Sequence, residues 1–296
     1  MTSIAFIGLG AMGSGMAANL AKAGRRVVAF DLSNAALEKA ARAGCLTASS
    51  AEAAAEDADI IVTMLPAASH VRAVWSSLVP TARADAVVID CSTIDVETAR
   101  EVAALATSRG VAAADAPVSG GIMAADAGTL AFMVGCKEAD FERVAAALAP
   151  MAKTVVHAGG PGAGQAAKIC NNMLLGISML GVCEAFALAE KLGLSPEKFF
   201  EIASSSSGQC WSMSTYCPWP GPVPTAPSNR NYEGGFLTRL MSKDLKLAQD
   251  AAAKAGAATP MGAQAQALYA LFEGLGYGQK DFSAVLQMMR GRLGEL

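Results

Sequence analysis

The chain has 296 residues, 53% of them hydrophobic and 17% charged, which is long enough for two domains and too apolar for a disordered segment. Lys plus Arg number 23 against 26 Asp plus Glu, a net charge of -3, so the electrostatic footprint of a nucleic-acid or anionic-membrane partner is missing. Seven cysteines, an odd number without a CxxC pair, fit free thiols in a reducing compartment, and two histidines argue against a His-based metal site.

The opening MTSIAFIGLG has no basic n-region and too short an apolar run for a signal peptide, so a cytoplasmic location is expected. From there, short β-branched runs alternate with Ala-rich stretches of helical length. Strands are expected at Ile4–Gly8, Val27–Leu32, Asp59–Leu65, Ala86–Cys91, Val111–Ala116, Leu130–Val134 and Thr154–His157. That rhythm implies parallel βαβ units in a doubly wound, Rossmann-type sheet, with ligands bound at the carboxyl ends of the strands.

The pattern changes at Gly159–Gly164, where GGPGAG precedes about thirty residues of helix-favouring sequence ending near Gly193. The expected division is therefore a dinucleotide-binding domain over 1–162 and an all-helical domain over 163–296, joined by a long helix. Met173–Ala189, the most apolar stretch, is interrupted by Gly176, Ser178, Gly181 and Glu184 and reads as a buried core helix rather than a membrane span. Tyr216–Ser228 carries five of the twelve prolines and must be loop.

The first strand runs into Gly8-Leu9-Gly10-Ala11-Met12-Gly13, a GxGxxG that opens a helix. The first glycine allows the tight turn, the second lets backbone approach a pyrophosphate, and the third permits close helix packing. Asp31 closes the second strand, where its carboxylate would accept the adenosine ribose hydroxyls and repel a 2′-phosphate, favouring NAD over NADP. Capping of the next helix is its alternative role. Leu65, Pro66 and Thr93 fall at two further strand ends; Thr93 could meet the nicotinamide ribose or cap the helix starting near Asp95.

In Asp115-Ala116-Pro117-Val118-Ser119-Gly120-Gly121 a strand ends in a hydroxyl followed by two glycines, an arrangement suited to a carboxylate but also to an ordinary turn. The long helix carries Lys168 and, one turn on, Asn172, with Asn171 beside it; two Asn in an apolar helix are a local cost. Phe236, Leu240, Asp244 and Leu247 are expected to share one helical face, next to Lys243.

Taken together, GLGAMGSGMAANL (8–20), DAPVSGG (115–121), GAGQAAKICNN (162–172) and the Phe236…Lys243-Asp244 segment resemble the β-hydroxyacid dehydrogenase family, over nearly the whole chain. Trp211–Pro224, with its Pro-Trp-Pro-Gly turn, is similar to the bacterial branch that acts on 3-hydroxyisobutyrate. The resemblance implies NAD as cofactor, contacted by the glycine loop, Asp31, Leu65, Pro66, Thr93 and Lys243. It implies Lys168 as the catalytic base, Asn172 as its orienting partner, and Ser119, Gly120 and Gly121 as the carboxylate site. Phe236, Asp244 and Trp211 would complete the substrate contacts. The implied reaction is oxidation of 3-hydroxyisobutyrate to methylmalonate semialdehyde in valine breakdown, by a homodimer or homotetramer that uses no metal. Other β-hydroxy acids (tartronate semialdehyde in the reductive direction, L-serine, 3-hydroxypropionate) and a non-catalytic NAD-binding protein remain open.

Overall fold

The computed structural model describes residues 2–296 and divides into two compact units, one ending at Lys168 and the other Ile169–Leu296. The first contains strands β1 (Ser3–Ile7), β2 (Arg26–Phe30), β3 (Leu46–Thr47), β4 (Ile60–Thr63), β5 (Val87–Asp90), β6 (Ala112–Asp115), β7 (Val118–Ser119), β8 (Leu130–Cys136) and β9 (Ala152–Gly159). Its helices are α1 (Gly13–Lys22), α2 (Asn34–Arg42), α3 (Ala51–Ala55), α4 (Ala68–Leu78), α5 (Val96–Ser108), α6 (Gly121–Ala127) and α7 (Glu138–Leu148). Helix α8 (Ala163–Lys191) starts in this unit and continues into the next, where α9 (Pro196–Ser204), α10 (Trp211–Ser214), α11 (Thr238–Ala255), α12 (Pro260–Phe272) and α13 (Val285–Met289) follow.

The strands form one sheet in the order β3-β2-β1-β4-β5-β6-β8-β7, with β9 on β8. Pairing is parallel from β3 to β6. The strand order reverses between β1 and β4, which makes the carboxyl ends of those two strands the ligand crevice of the sheet. Both faces are covered, as a parallel sheet demands. Ile4 and Phe6 pack on one side with Met16 and Leu20, whereas Ala5 and Ile7 pack on the other with Val71 and Trp75. That two-sided burial is why the strands read as continuous apolar runs.

Three features depart from the sequence reading. The two-residue strands β3 and β7 were too short to register as patterns. Strand β8 runs antiparallel to β6 and β7, because the link from Ser119 to Leu130 is shorter than a parallel crossover requires. Phe236 lies before α11 rather than on it, and the buried stripe of that helix is Thr238, Met241, Asp244, Leu245 and Ala248 instead of the one through Leu240 and Leu247.

The second unit has no strand among its described residues. Its core is built from Met179, Phe186, Met241, Leu245, Tyr269, Phe272 and Phe282. Helix α8 is the one helix, among the described residues, long and apolar enough to cross a membrane by length and composition; 44% of its most apolar window is buried. The proline-rich 216–228 segment is irregular up to a short 3-10 turn at Pro227–Arg230, and it is packed rather than loose: Cys217 and Ala226 are buried, and Ser228 donates to the Cys217 carbonyl at 2.8 Å.

Candidate active site

The glycine loop follows β1. Gly8 has φ +100°, and a Cβ there would lie 2.3 Å from the Met64 carbonyl oxygen; a Cβ on Gly13 would lie 2.0 Å from the Gly8 oxygen. Around Gly10 nothing lies within 4 Å of such a Cβ. Two glycines are thus enforced by the protein's own packing and the middle one faces open space, which is the division of labour a dinucleotide pyrophosphate requires. The start of α1 adds first-turn N–H groups without intrahelical acceptors. The residues present therefore fit a dinucleotide.

Asp31 stands at the end of β2, half-buried. Its Oδ2 accepts the Leu9 N–H at 2.6 Å and its Oδ1 accepts the Ser33 N–H at 2.8 Å. The carboxylate therefore holds the glycine loop, while helix α2 is capped by Ser33, whose hydroxyl accepts from Ala36. Helix α5 is likewise capped by Asp95 rather than Thr93, which removes the capping alternative for Thr93.

Leu65 and Ser92, the residue before Thr93, lie just beyond the ends of neighbouring strands and are tied by a hydrogen-bond network. Ser92 Oγ accepts the Leu65 N–H at 2.8 Å and donates to Asp90 Oδ1 at 2.6 Å, and Thr63 Oγ1 donates to the same oxygen at 2.7 Å. Asp90 is 1% exposed, and its Oδ2 has no hydrogen-bond partner among the described residues. Burial pushes its carboxyl up to about 6, the hydrogen bonds from Ser92 and Thr63 acting in the opposite direction.

Ser119 ends β7. Gly120 and Gly121 follow with φ +130° and +70°, backbone conformations that glycine adopts without the steric cost of a side chain. Lys168 is buried on α8, and its ammonium donates to the Val118 carbonyl at 2.8 Å. The lysine is thereby fixed beside Ser119. Helix α6, which starts at Gly121, is seated on α1: the Asn19 amide donates to the Ala125 carbonyl at 2.7 Å, and a Cβ on Gly15 would lie 2.9 Å from Ala125 backbone atoms.

No Ser, Thr, Asn or Asp precedes α8 to cap it locally. Asp115 does so from the end of β6. Its Oδ1 accepts the Gly162 N–H at 2.6 Å and its Oδ2 the Gln165 N–H at 2.8 Å. Burial raises the Asp115 carboxyl, against those backbone hydrogen bonds. Close approach is possible because a Cβ on Gly164 would lie 2.3 Å from the Met133 oxygen and one on Gly135 2.4 Å from Asp115 Oδ1. The side-chain amide of Gln165 donates to the Ser92 carbonyl at 2.7 Å and accepts from the Ile94 N–H at 3.1 Å, bracketing Thr93.

In the second unit, the buried Asn172 amide donates to Asp244 Oδ2 at 2.5 Å, and its Oδ1 accepts from Asn171 at 3.0 Å. The paired asparagines thus recover in hydrogen bonds what they cost in helix propensity. Lys243, half-buried, precedes Asp244 on α11. The Phe236 N–H donates to Asp281 Oδ2 at 2.8 Å, and Tyr216 donates its hydroxyl to the same oxygen at 2.7 Å. Trp211, which is 49% exposed, stacks on the Tyr216 ring at 4.8 Å. Phe236 and Trp211 are therefore linked through Asp281 and Tyr216.

Sequence reading missed Asp90, Gln165 and Asp281. Asp90 and Gln165 are polar residues among mostly apolar or small sequence neighbours, whereas Asp281, within Gln279-Lys280-Asp281-Phe282-Ser283, leaves no such trace. Asp115 was read merely as the start of a turn motif.

The pattern of the NAD binding domain of 6-phosphogluconate dehydrogenase matches residues 3–160, and that described as NAD-binding of NADP-dependent 3-hydroxyisobutyrate dehydrogenase matches residues 162–289. The chain is 46% identical over 302 residues to 3-hydroxyisobutyrate dehydrogenase of Pseudomonas aeruginosa, covering 99% of this chain and 100% of that one. It is 45% identical over 291 residues to the NAD-dependent L-serine dehydrogenase of the same organism, covering 97% and 98%. Among solved structures, Mycobacterium tuberculosis 3-hydroxyisobutyrate dehydrogenase with L-serine matches with a TM-score of 0.95 and 48% identity, over 98% of this chain and 99% of that one. With the two domain patterns in the order the fold displays and relatives of this identity over their full lengths, the chain belongs to the β-hydroxyacid dehydrogenase family of NAD-dependent oxidoreductases.

Proposed function

We propose that the chain oxidises 3-hydroxyisobutyrate to methylmalonate semialdehyde with NAD. The observation that carries this reading is the buried Lys168 ammonium, fixed by the Val118 carbonyl immediately before Ser119, Gly120 and Gly121. A base is thereby held next to a small carboxylate site. The glycine loop, Asp31, Leu65, Pro66, Thr93 and Lys243 are assigned to the dinucleotide. When bound, it takes up the hydride from the carbon bearing the hydroxyl group.

The protein's own work is positional and electrostatic. Ser119 and the N–H groups of Gly120 and Gly121 bind the substrate carboxylate. Lys168, neutral in the oxidative direction, takes the hydroxyl proton and returns it during reduction. Asn172, steadied by Asp244, orients the hydroxyl, while Phe236 and Trp211 offer apolar surface to the methyl branch. The preference for NAD rests on Asp31, whose charge opposes a 2′-phosphate.

The second reading, oxidation of L-serine, is favoured by the 45% identity to an NAD-dependent L-serine dehydrogenase and by the L-serine named with the mycobacterial structure. Initial rates with NAD and NADP against 3-hydroxyisobutyrate, 3-hydroxypropionate, L-serine, glycerate and 3-hydroxybutyrate separate the readings. The highest kcat/KM is expected for 3-hydroxyisobutyrate with NAD; a higher value for L-serine would transfer the assignment to the second reading. Absence of turnover with every acid would leave a dinucleotide-binding protein.

The proposal includes a role in valine breakdown, a reducing cytoplasm and a homodimer or homotetramer. Seven free cysteines suit a reducing compartment. Exposed Leu174 and Leu188 on α8 suit a subunit contact, to be tested by sedimentation.

A further inference from the structure

We propose, resting on the functional reading above, that Gln165 is a positioning residue that sets the register between Lys168 and the loop carrying Thr93. Its side chain is fully buried and spends both ends of its amide on the backbone of that loop, donating to Ser92 at 2.7 Å and accepting from Ile94 at 3.1 Å. The residue between those two anchors is Thr93. Three positions along α8 from Gln165 comes Lys168, about 4.5 Å further along the helix axis.

Both ends of the linkage are rigid. On the helix side, the Gln165 N–H is held by Asp115 Oδ2 at 2.8 Å, and α8 sits on β6 and β8 too closely for any side chain at Gly164. On the loop side, the Ser92 hydroxyl is fixed to Asp90 and to the Leu65 N–H. A continuous path of hydrogen bonds therefore runs from the helix bearing the base through Ser92 to Leu65, and so touches two of the loops assigned to the dinucleotide. A buried amide with both ends paired to one loop defines its position to a fraction of an ångström, whereas an apolar side chain of the same volume leaves two buried backbone groups without partners.

Transfer of hydride and proton requires both acceptors to be aligned at once, and a displacement of about 1 Å can cost a hundredfold in rate. Gln165 touches neither of the reacting atoms on this assignment. Its loss should consequently appear in the chemical step and not in binding.

The test compares the full-length wild type with Gln165→Met, which keeps the volume and removes both hydrogen bonds. Amide hydrogen exchange at Ile94 without cofactor should accelerate about tenfold or more in the variant. With 3-hydroxyisobutyrate and NAD, kcat should fall about ten- to a hundredfold, while KM and the calorimetric Kd for NAD stay within about threefold. The isotope effect with substrate deuterated at the carbinol carbon should rise. If Gln165→Met does not fold, Gln165→Glu, which keeps the acceptor for Ile94 and loses the donor to Ser92, takes its place with the same kcat and Kd criteria. Unchanged Ile94 protection in Gln165→Met, wild-type kcat in whichever variant folds, or a loss of NAD affinity equal to the loss of kcat would overturn the proposal. A wild type that turns over no hydroxy acid would instead remove the functional reading, and the exchange at Ile94 would still decide whether Gln165 holds the loop.

Discussion

The Lys168 side-chain nitrogen donates a 2.8 Å hydrogen bond to the Val118 carbonyl, so the proposed base is attached to the backbone one residue ahead of Ser119. An acceptor at that point fixes the direction of the lysine side chain. Lys168→Arg keeps the charge but cannot release a proton at any ordinary pH. It should lower kcat about a hundred- to ten-thousandfold, the usual range for loss of general acid–base catalysis. Calorimetry should find NAD affinity within about threefold of wild type, since the glycine loop is untouched. Near-normal turnover in this variant would show that Lys168 is not the base.

Asp31 has one task in the structure and a second under the proposed function. Its carboxylate holds the Leu9 and Ser33 N–H groups, and the proposal adds that its charge opposes a 2′-phosphate. Asp31→Asn separates them, because an amide oxygen still accepts one backbone hydrogen bond while the charge is gone. The NAD-to-NADP ratio of kcat/KM should drop about tenfold or more, as charged-group hydrogen bonds of about 1.5–3 kcal/mol would predict. Asp31→Ala should weaken NAD further by loosening the loop. An unchanged cofactor ratio in both variants would remove Asp31 from cofactor selection.

Asp90 gives a pH signature. Burial raises its carboxyl from the ordinary 3.8 to about 6. A carboxyl that holds its proton more tightly when folded adds stability at pH values below the unfolded pKa, and that contribution is lost as pH rises through about 6. The full difference is at most about 3 kcal/mol. Asp90→Asn cannot ionise and retains an acceptor for Thr63 and Ser92. Urea unfolding should therefore find variant and wild type similar near pH 4 and the variant gaining by about 1–3 kcal/mol at pH 7.5. A stability difference independent of pH would mean that Asp90 does not ionise across this window.

The parallel part of the sheet was legible because both of its faces are buried, which stamps continuous apolar runs such as Ile60–Thr63 on the sequence. The glycine loop was legible because backbone geometry restricts residue choice to glycine there. The antiparallel β8 was not, since strand direction depends on the length and path of the preceding link and leaves the apolar pattern of Leu130–Cys136 unchanged. Asp281 escaped notice for a related reason. It lies 45 residues from Phe236 in sequence, and no local pattern announces a contact of that separation. Asp115 differs again: it was quoted within a motif, yet its partners, Gly162 and Gln165, arrive only when α8 is seated.

Gly120 and Gly121 look equivalent in sequence, and the structure distinguishes them. A Cβ on Gly120 would lie 2.6 Å from the Ala124 Cβ, within the first turn of α6, and φ there is +130°. A Cβ on Gly121 would meet nothing within 4 Å, and its φ of +70° is left-handed, which costs an L-residue about 1–2 kcal/mol. Gly120→Ala should thus be a folding lesion, lowering Tm by several degrees and reducing activity only in proportion to the protein lost. Gly121→Ala should lower Tm less, and its methyl group would project into the open space assigned to the substrate carboxylate. Its KM for 3-hydroxyisobutyrate should rise about tenfold or more with NAD affinity unchanged, because the lost interaction is one of substrate binding. Melting curves and steady-state rates on both variants decide the matter. A Gly121→Ala protein with wild-type KM would place the carboxylate elsewhere and leave the Ser119–Gly121 segment as a turn.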